Sequence, residues 1–291
     1  MASNRHTRRK GKAAAKNQNK RSRASPTKKQ MLNRNDPIEN FKFLDRVQAG
    51  APINFHLETM FSNIKIGDLD FLSLYNQCMS STGTAAPSWK IFRRAQRALT
   101  LGQYFDYALS IPGSKAECGV FRGFSALLTN LIARMRDNTW TGENYHLIDS
   151  FEGLSEPELN DAINFTSDVS GNQTPLVSHK AGAFATPLIE VQNNLTPFQH
   201  LSFHKGWIPE IFLSLPEDEW SYVHIDVDLY RPTLKSLEYF FPRMAAGGVI
   251  INDDYSSPLF PGGGSGWVEF FDRIKKPFTV LDTGQAIFVN T

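Results

Sequence analysis

Aspartates stand at the ends of two apolar runs in this sequence. Asp226 closes one run, and Asp253 and Asp254 close the next. If the runs are neighbouring parallel strands, three carboxylates meet at one sheet edge and repel one another. A hard cation with oxygen ligands is the simplest relief, so we predict a Mg²⁺ site, with Mn²⁺ or Ca²⁺ as alternatives. The competing interpretation is that these residues cap helices. Asp228 stays unassigned between a helix contact and substrate binding.

A glycine motif follows the first predicted strand. In the run from Glu117 to Gly123, Gly119 and Gly123 are four residues apart. Glycine allows a sharp turn and a close approach of the backbone to a ligand. The run is neither a dinucleotide GxGxxG motif nor a P-loop, and it is nearest to the acidic glycine loop of S-adenosylmethionine enzymes, with Phe121 replacing the middle glycine. We therefore assign Glu117, Gly119, Val120 and Gly123 to cofactor binding, against the alternative of a purely structural turn.

Asp149 ends the second predicted strand, and Ser150 follows it. An acidic residue at this position commonly accepts hydrogen bonds from ribose hydroxyls. Both residues are thus candidates for cofactor binding, although either could instead be a helix N-cap. We expect His204 to be a structural residue, and Trp207 either to pack or to cover the adenine.

These residues suggest one reaction. A metal at the aspartates would lower the pKa of a substrate hydroxyl, and Asp226 is also the candidate general base. A sulfonium methyl group held in line with the hydroxyl oxygen would then be displaced. A metal-dependent hydrolase is an alternative, but the candidate cofactor pocket argues against it.

The elements that must position these residues alternate between strand and helix after Pro112-Gly113. Such alternation predicts an α/β fold with a mostly parallel sheet, and the last two strands form a hairpin. The predicted strands are Ala116–Val120, Tyr145–Ile148, Leu201–His204, Tyr222–Ile225, Val249–Ile251, Thr279–Leu281 and Ala286–Val289, and the helices are Ala126–Met135 and Thr233–Met244. We expect the glycine-rich stretch 258–266 to form a flexible lid.

The chain is predicted to have three parts. Residues 1–35 contain twelve Lys or Arg and no Asp or Glu, which indicates a disordered basic tail. Residues 36–111 form a helical cap region, and residues 112–291 form the core. The tail could contact nucleic acid or an anionic membrane through charge, although a solvated tail without a partner is the simpler interpretation.

Composition restricts the class of protein. Outside the tail, 19 basic and 29 acidic residues remain of the 291, so a fold-wide surface for nucleic acid is not supported. No apolar stretch approaches the roughly 20 residues needed to cross a bilayer, and no signal-peptide pattern is present. With only two cysteines, a disulfide framework is not expected and a cytoplasmic location is favoured.

The motifs together resemble those of the macrocin O-methyltransferase (TylF-type) family. The resemblance runs from Arg93 to the C-terminus, with some departures such as Phe121 in place of Trp. It rests on five stretches in the same order: Glu117–Gly123, Asp149–Leu154, Lys205–Trp207, Asp226–Tyr230 and Asn252–Tyr255.

This resemblance implies a Rossmann-like class I methyltransferase fold with a seven-stranded sheet. It also implies that Asp226, Asp253 and Asp254 bind Mg²⁺ and that Asp226 acts as the base. The expected function is S-adenosylmethionine- and metal-dependent methylation of a small-molecule hydroxyl, on a sugar or a glycosylated natural product. The alternative is a catalytically silent binding protein with this fold, tethered through its basic tail. A homo-oligomer is left open.

Overall fold

The structure is a computed structural model that describes residues 57–58, 60–84, 88–166 and 173–291. The predicted basic tail and residues 36–56 of the predicted cap region lie outside these ranges. In the part that is described, no helix combines the length and the apolar character needed to cross a membrane.

The described residues form eleven strands and six α-helices. The strands are β1 (Lys65–Ile66), β2 (Leu69–Asp70), β3 (Ser114–Cys118), β4 (Tyr145–Asp149), β5 (Ile163–Thr166), β6 (Gln173–Leu176), β7 (Ser202–Lys205), β8 (Trp220–Ile225), β9 (Met244–Asn252), β10 (Thr279–Val280) and β11 (Ala286–Val289). The helices are α1 (Phe71–Ser81), α2 (Ser88–Ala108), α3 (Phe124–Arg136), α4 (Leu188–Asn194), α5 (Tyr230–Phe240) and α6 (Pro261–Ile274).

Seven of the strands form the main sheet, in the order β10-β11-β9-β8-β3-β4-β7. The five from β9 to β7 are parallel, whereas β11 is antiparallel to both β9 and β10. The α/β class, the seven-stranded and mostly parallel sheet and the C-terminal hairpin are therefore confirmed. The carboxyl ends of the five parallel strands lie at one edge, where ligands bind in open α/β sheets.

Helices cover both faces of the sheet, which explains why every residue of β3 and β8 is buried. The first face packs against α1 to α4, with Phe105 and Tyr222 in edge contact at 5.0 Å. The second face packs against α5 and α6. Polar residues in these central strands, such as Glu117 and His224, are therefore fully enclosed. They need partners inside the protein, since burying an unpaired charge is costly.

The predicted helix over Thr233–Met244 is wrong at both ends. The helix α5 starts at Tyr230 and stops at Phe240, and a 3-10 turn leads to Met244, which begins β9. Pro242 explains the stop, because proline has no amide hydrogen and cannot continue a helix. The pair Gly247-Gly248 lies inside β9 rather than before it, so this strand is longer than expected.

The prediction of a flexible lid at 258–266 is also wrong. Residues from Pro261 onward form the first turns of α6, and Gly262, Gly263, Gly264 and Gly266 are buried. A Cβ at Gly263 would lie 2.6 Å from Cβ of Asp254, and one at Gly264 would lie 2.3 Å from the backbone oxygen of Tyr255. These glycines therefore allow α6 to approach the strand ends closely.

His146 and His204 form a pair against the second face, next to Trp220. Nδ1 of His146 lies 2.9 Å from Nε2 of His204, so one of these nitrogens must be an acceptor and at least one ring is neutral. Burial, assisted by the neighbouring His204, lowers the pKa of His146 to about 4.

The His146 pair predicts an acid-sensitive contribution to stability. Unfolded His146 takes up a proton near pH 6.5, whereas the folded protein resists protonation until about pH 4. The contribution is thus complete above pH 6.5, and we expect up to about 3 kcal/mol to be lost between pH 6.5 and 4. Urea denaturation across this range should show that His146→Gln flattens the dependence, whereas the same change at exposed His200 does not. Parallel curves for wild type and His146→Gln would contradict this assignment.

Candidate active site

The predicted metal residues converge at the carboxyl ends of β8 and β9. The backbone amide of Asp226 donates to Cys118 (2.9 Å), and that of Asp253 donates to Ile225 (2.9 Å). Parallel pairing thus continues past the strands and brings these aspartates side by side. Side-chain oxygens of Asp226 and Asp253 lie within 4.8 Å of each other.

Asp226 belongs to two overlapping groups of possible metal ligands. One group joins it to His224 and Asp253, and the other joins it to Asp228 and Asp254, with ligand atoms within 4.8 Å of one another in each group. Of the predicted trio, Asp253 and Asp254 therefore fall in different groups that share Asp226, and Asp228 lies with Asp226 and Asp254. Asp228 has a left-handed backbone (φ 62°), and its amide donates to Oδ2 of Asp254 (2.8 Å).

Burial and mutual repulsion act on these carboxylates. Burial, followed by the charge of Asp253, raises the pKa of Asp226. Burial and the charge of Asp226 raise the pKa of Asp228 to about 8, and burial with both neighbours raises the pKa of Asp254 well above its usual value. The positive charges around the site therefore do not balance the negative charge of its carboxylates.

Asp253 is held differently from the other three aspartates. Its Oδ2 lies 2.5 Å from Nη2 of Arg97, and its Oδ1 accepts a hydrogen bond from Gln285 (2.6 Å). Arg97 also donates to the backbone oxygen of Asp253. Burial would raise the pKa of Asp253, but Arg97 and His224 hold it below its usual range. This carboxylate is therefore ionised and fixed in orientation.

His224 lies between two carboxylates beneath the site. Its Nε2 is 3.5 Å from Asp253 and its Nδ1 is 3.9 Å from Glu117, which are ion-pair distances rather than hydrogen bonds. Burial alone would lower the pKa of His224, but Asp253 and Glu117 raise it to about 10. The imidazolium thus connects the base of the glycine loop to the aspartate cluster.

The glycine loop is organised by Asp149. Oδ2 of this carboxylate accepts hydrogen bonds from the amides of Val120 (2.7 Å) and Phe121 (3.2 Å), and Oδ1 accepts one from Phe151 (2.6 Å). Ser150 is buried and donates to the backbone of Gly153 (2.8 Å). Asp149 and Ser150 therefore shape both loops that border the candidate cofactor site.

The other residues predicted for the cofactor also lie around this loop. Gly119 (φ 84°) and Gly123 (φ 82°) have left-handed backbones, and Gly123 caps α3. Glu117 is completely buried and accepts hydrogen bonds from Ser125 (2.6 Å) and Tyr145 (3.3 Å). Its carboxylate thus lies below the loop, on the first face of the sheet, which packs against α1 to α4.

Gly119 is at a point where the backbone of the glycine loop touches that of the aspartate cluster. A Cβ there would lie 1.8 Å from the backbone oxygen of Asp226. We expect Gly119→Ala to lower the free energy of unfolding by at least about 3 kcal/mol, because strands β3 and β8 would have to separate. Gly182→Ala is the matched control, since Gly182 has a similar φ of 79° but its nearest contact would be 3.9 Å away. It should cost about 1 kcal/mol in urea denaturation. Equal losses would argue against the steric explanation.

A cavity of about 370 Å³ lies between residues 155–161, 207–210 and 229–232. Its apolar lining includes Trp207, Ile208 and Leu229, and its charged lining consists of Glu156, Glu158, Asp161, Glu210 and Arg231. The amide of Gly206 donates to the backbone of Asp149 (3.0 Å), so the cavity borders the same sheet edge. Trp207 is exposed at the rim of this cavity.

Three residues of the site were not assigned from the sequence. Arg97 lies on α2 and Gln285 lies in the turn before β11, both remote in sequence from Asp253. The one sequence feature that points to His224 is its position as a polar residue among the apolar residues that precede Asp226. Asp228 is conspicuous in the sequence, but only the left-handed turn after β8 brings it into the cluster.

The strand order, the glycine turn and the acidic strand ends together define a Rossmann-like methyltransferase fold. Two solved structures share it: the calicheamicin methyltransferase CalS11, with a TM-score of 0.55, 16% identity and coverage of 79% of this chain and 95% of that one, and the O-methyltransferase NovP, with a TM-score of 0.54, 19% identity and coverage of 68% and 80%. The chain belongs to the macrocin O-methyltransferase (TylF) family, whose sequence model matches residues 106–288.

Two curated relatives are named for methylation of natural products. A protein of Streptomyces olivaceus, 8-demethyl-8-(2,3-dimethoxy-alpha-L-rhamnosyl)-tetracenomycin-C 4'-O-methyltransferase, is 29% identical over 150 residues, which is 50% of this chain and 54% of the relative. The mycinamicin III 3''-O-methyltransferase of Micromonospora griseorubida is 28% identical over 156 residues, which is 51% of this chain and 57% of the relative. The chain thus spans about half the length of the curated relatives it matches.

Proposed function

We propose that this protein is an S-adenosylmethionine- and divalent-metal-dependent O-methyltransferase acting on a hydroxyl of a sugar or a glycosylated natural product. Membership of the macrocin O-methyltransferase family and the names of the relatives support the reaction class. The observation that carries the proposal is the convergence of Asp226 with Asp253 and Asp254 at the end of two parallel strands, beside the glycine loop.

The cofactor would occupy the sheet edge between the glycine loop and the cavity. Its amino-acid end would lie at Gly119, Val120 and Gly123, and its ribose at Asp149, whose carboxylate retains acceptor capacity for a hydroxyl. The cavity lined by Trp207 is of a suitable size for the adenine. When bound, S-adenosylmethionine supplies an electrophilic methyl group on a sulfonium.

The aspartate cluster fits a hard divalent cation. All donors in the group of Asp226, Asp228 and Asp254 are carboxylate oxygens, which Mg²⁺ and Mn²⁺ prefer. Pairing of the cluster with Arg97 and His224 leaves an excess of negative charge, which a cation would relieve. We assign Asp226, Asp253 and Asp254 as ligands, and a cation there supplies Lewis-acid polarisation of the acceptor hydroxyl.

Asp226 is the proposed general base. It is half-buried, belongs to both groups of possible metal ligands and lies next to the loop that would hold the cofactor, so an acceptor hydroxyl at the proposed metal site would lie within its reach. Arg97 and His224 keep Asp253 ionised and oriented, which fixes one wall of the site.

Calorimetric titration tests the proposal. The protein should bind S-adenosylmethionine, and it should transfer label from that cofactor to a glycoside panel only when Mg²⁺ or Mn²⁺ is present. Absence of cofactor binding with and without metal would remove the proposal. Full transfer after exhaustive chelation would remove the metal requirement alone.

A comparison of two variants separates catalysis from binding through the tail. Asp226→Ala should abolish methyl transfer, whereas deletion of residues 1–35 should leave it intact. A silent binding protein would show the reverse, with its main function lost on deletion of the tail and retained in Asp226→Ala.

A further inference from the structure

Arg122 lies in the glycine loop and donates hydrogen bonds to two segments that are remote from it in sequence. Its Nη1 donates to the backbone oxygen of Gly83, just after α1 (2.6 Å). Its Nε and Nη2 both donate to Oε1 of Glu190 in the first turn of α4, at 3.1 and 2.7 Å. The planar guanidinium therefore joins the loop to a helix of the predicted cap region on one side and to α4 on the other.

The C-terminal end of α4 binds the backbone of the same residue. Nδ2 of Asn194 donates to the backbone oxygen of Arg122 (3.0 Å). A Cβ at the neighbouring Gly123 would lie 3.3 Å from Leu195 and 3.4 Å from Val191, so α4 packs directly against this part of the loop. The side chain and the main chain of Arg122 are thus held by opposite ends of one short helix.

The segment that offers its carbonyl to Arg122 is fixed by hydrogen bonds of its own. Oγ1 of Thr82 donates to the backbone oxygen of Cys78 (2.9 Å) and lies 2.6 Å from Oγ1 of Thr84, and both threonines are buried. Gly83 between them has a left-handed backbone (φ 57°), which turns the chain at the end of α1. The acceptor of the Arg122 hydrogen bond is therefore held in place relative to α1.

The conformation of the glycine loop requires support. Phe121 and Gly123, on either side of Arg122, have left-handed backbones with φ of 47° and 82°. This conformation is unfavourable for a bulky residue such as Phe121 and persists only where the surrounding contacts impose it. The amides of Val120 and Phe121 donate to Asp149, which fixes the first half of the loop. The contacts of Arg122 fix the second half.

The ion pair of Arg122 and Glu190 is poorly suited to stabilising the fold as a whole. The exposed fractions of the two side chains are 36% and 39%. Ion pairs that are exposed to this extent contribute little to the free energy of unfolding, because water and salt screen them. We therefore expect the contacts of Arg122 to act locally, on the shape of the glycine loop.

We propose that Arg122 is a positioning residue that bridges the backbone of Gly83 and the carboxylate of Glu190 and thereby holds the glycine loop in the shape that receives S-adenosylmethionine. This inference rests on the proposed function and adds a residue that acts on the cofactor through the loop. Lysine offers a single ammonium group in place of a planar fork, so it cannot serve both acceptors with the same geometry.

Calorimetric titration of the full-length protein with S-adenosylhomocysteine tests this role without turnover. Arg122→Met should weaken binding about tenfold, because a site that loses its supporting contacts is held less precisely. Arg122→Lys should restore part of the affinity. The matched control is Arg136→Met, which removes a bidentate pair with Asp106 between α2 and α3. It should leave the affinity unchanged, and urea denaturation without cofactor should give Arg122→Met and Arg136→Met the same midpoint.

A double-variant cycle tests the bridge itself. Glu190→Met should weaken binding about threefold, because the contact between Arg122 and Gly83 remains. Arg122→Met/Glu190→Met should bind S-adenosylhomocysteine no more weakly than Arg122→Met alone, since the interaction between the two side chains is already lost. Additive losses would overturn the bridge, because Glu190 would then act independently of Arg122.

The outcomes separate this inference from the proposed function. Weaker binding of S-adenosylhomocysteine by Arg122→Met, with partial rescue in Arg122→Lys and an unchanged urea midpoint, supports the positioning role. Wild-type affinity in Arg122→Met, or a loss of affinity accompanied by a lower midpoint than that of Arg136→Met, overturns the role and leaves the methyltransferase proposal standing. Failure of wild type to bind S-adenosylhomocysteine overturns both.

Discussion

Replacement of Asp226 by asparagine is expected to reduce methyl transfer by about a thousandfold or more and to stabilise the metal-free protein. The loss follows from the two proposed roles of Asp226, since removal of a general base alone typically costs 10²–10⁴-fold. The gain in stability follows because burial and Asp253 raise the pKa of this carboxyl, so its charge is unfavourable in the folded state at neutral pH. Asparagine keeps the shape and removes that charge.

Three measurements check the Asp226→Asn prediction. Calorimetry with Mg²⁺ should show affinity lower by about 100-fold or more. Urea denaturation in a chelator should show a higher free energy of unfolding, and label transfer should be close to background. Asp272→Asn, at an exposed position on α6, is the matched control and should change none of these. A variant that is less stable without metal would contradict the electrostatic explanation.

Asparagine substitutions at the other aspartates of the cluster can assign the metal ligands one by one. The predicted trio requires Asp253→Asn and Asp254→Asn to lose metal affinity. Asp228 lies in the cluster with Asp226 and Asp254, so Asp228→Asn is the informative addition. Retention of metal by Asp228→Asn supports the predicted trio. Loss of metal in Asp228→Asn together with retention in Asp253→Asn would exchange the roles of these two residues.

Replacement of Arg97 by methionine is the second substitution for which we expect a large effect, in this case a loss of stability. Arg97 contacts both the carboxylate and the backbone oxygen of Asp253, and only 26% of its side chain is exposed. Removal of one partner from a mostly buried ion pair leaves the other charge uncompensated, which costs about 3 kcal/mol or more. We expect this decrease in the free energy of unfolding of the metal-free protein, measured with urea.

Arg136 supplies the control for Arg97. It forms a bidentate pair with Asp106 at 2.6 and 2.7 Å, but 52% of its side chain is exposed, so Arg136→Met should cost less than about 1 kcal/mol. In the double variant Arg97→Met/Asp253→Asn, much of the loss should be recovered because the carboxylate that Arg97 balances is removed as well, while His224 keeps Glu117 as a partner. If Arg97→Met and Arg136→Met are equally stable, the Arg97 pair does not have the energetic role assigned to it. Partial recovery on addition of Mg²⁺ would support Asp253 as a ligand.

Much of the fold could be predicted because its signals are local. The mostly apolar runs that form β4, β8 and β11 are bounded by turn residues, and α3 has apolar residues at helical spacing. The first strand was predicted two residues too late, because β3 (Ser114–Cys118) begins with polar residues and Gly119 ends it. The glycine-rich start of α6 was misassigned for the opposite reason. Glycine disfavours a helix on its own, and only the close contact with Asp254 and Tyr255 explains its presence there.

The sequence by itself determined which carboxylates follow strands, and parallel strands place their carboxyl ends at one edge whatever the details of packing, whereas the pairing of β8 with β9 came from the structure. Asp226, Asp253 and Asp254 followed from that rule alone. Only the tertiary structure decided that Arg97, 156 residues before Asp253, orients it and that Phe121, Phe184 and Phe260 meet above the edge. Such contacts depend on how helices and loops pack on the sheet, and no local periodicity encodes that packing.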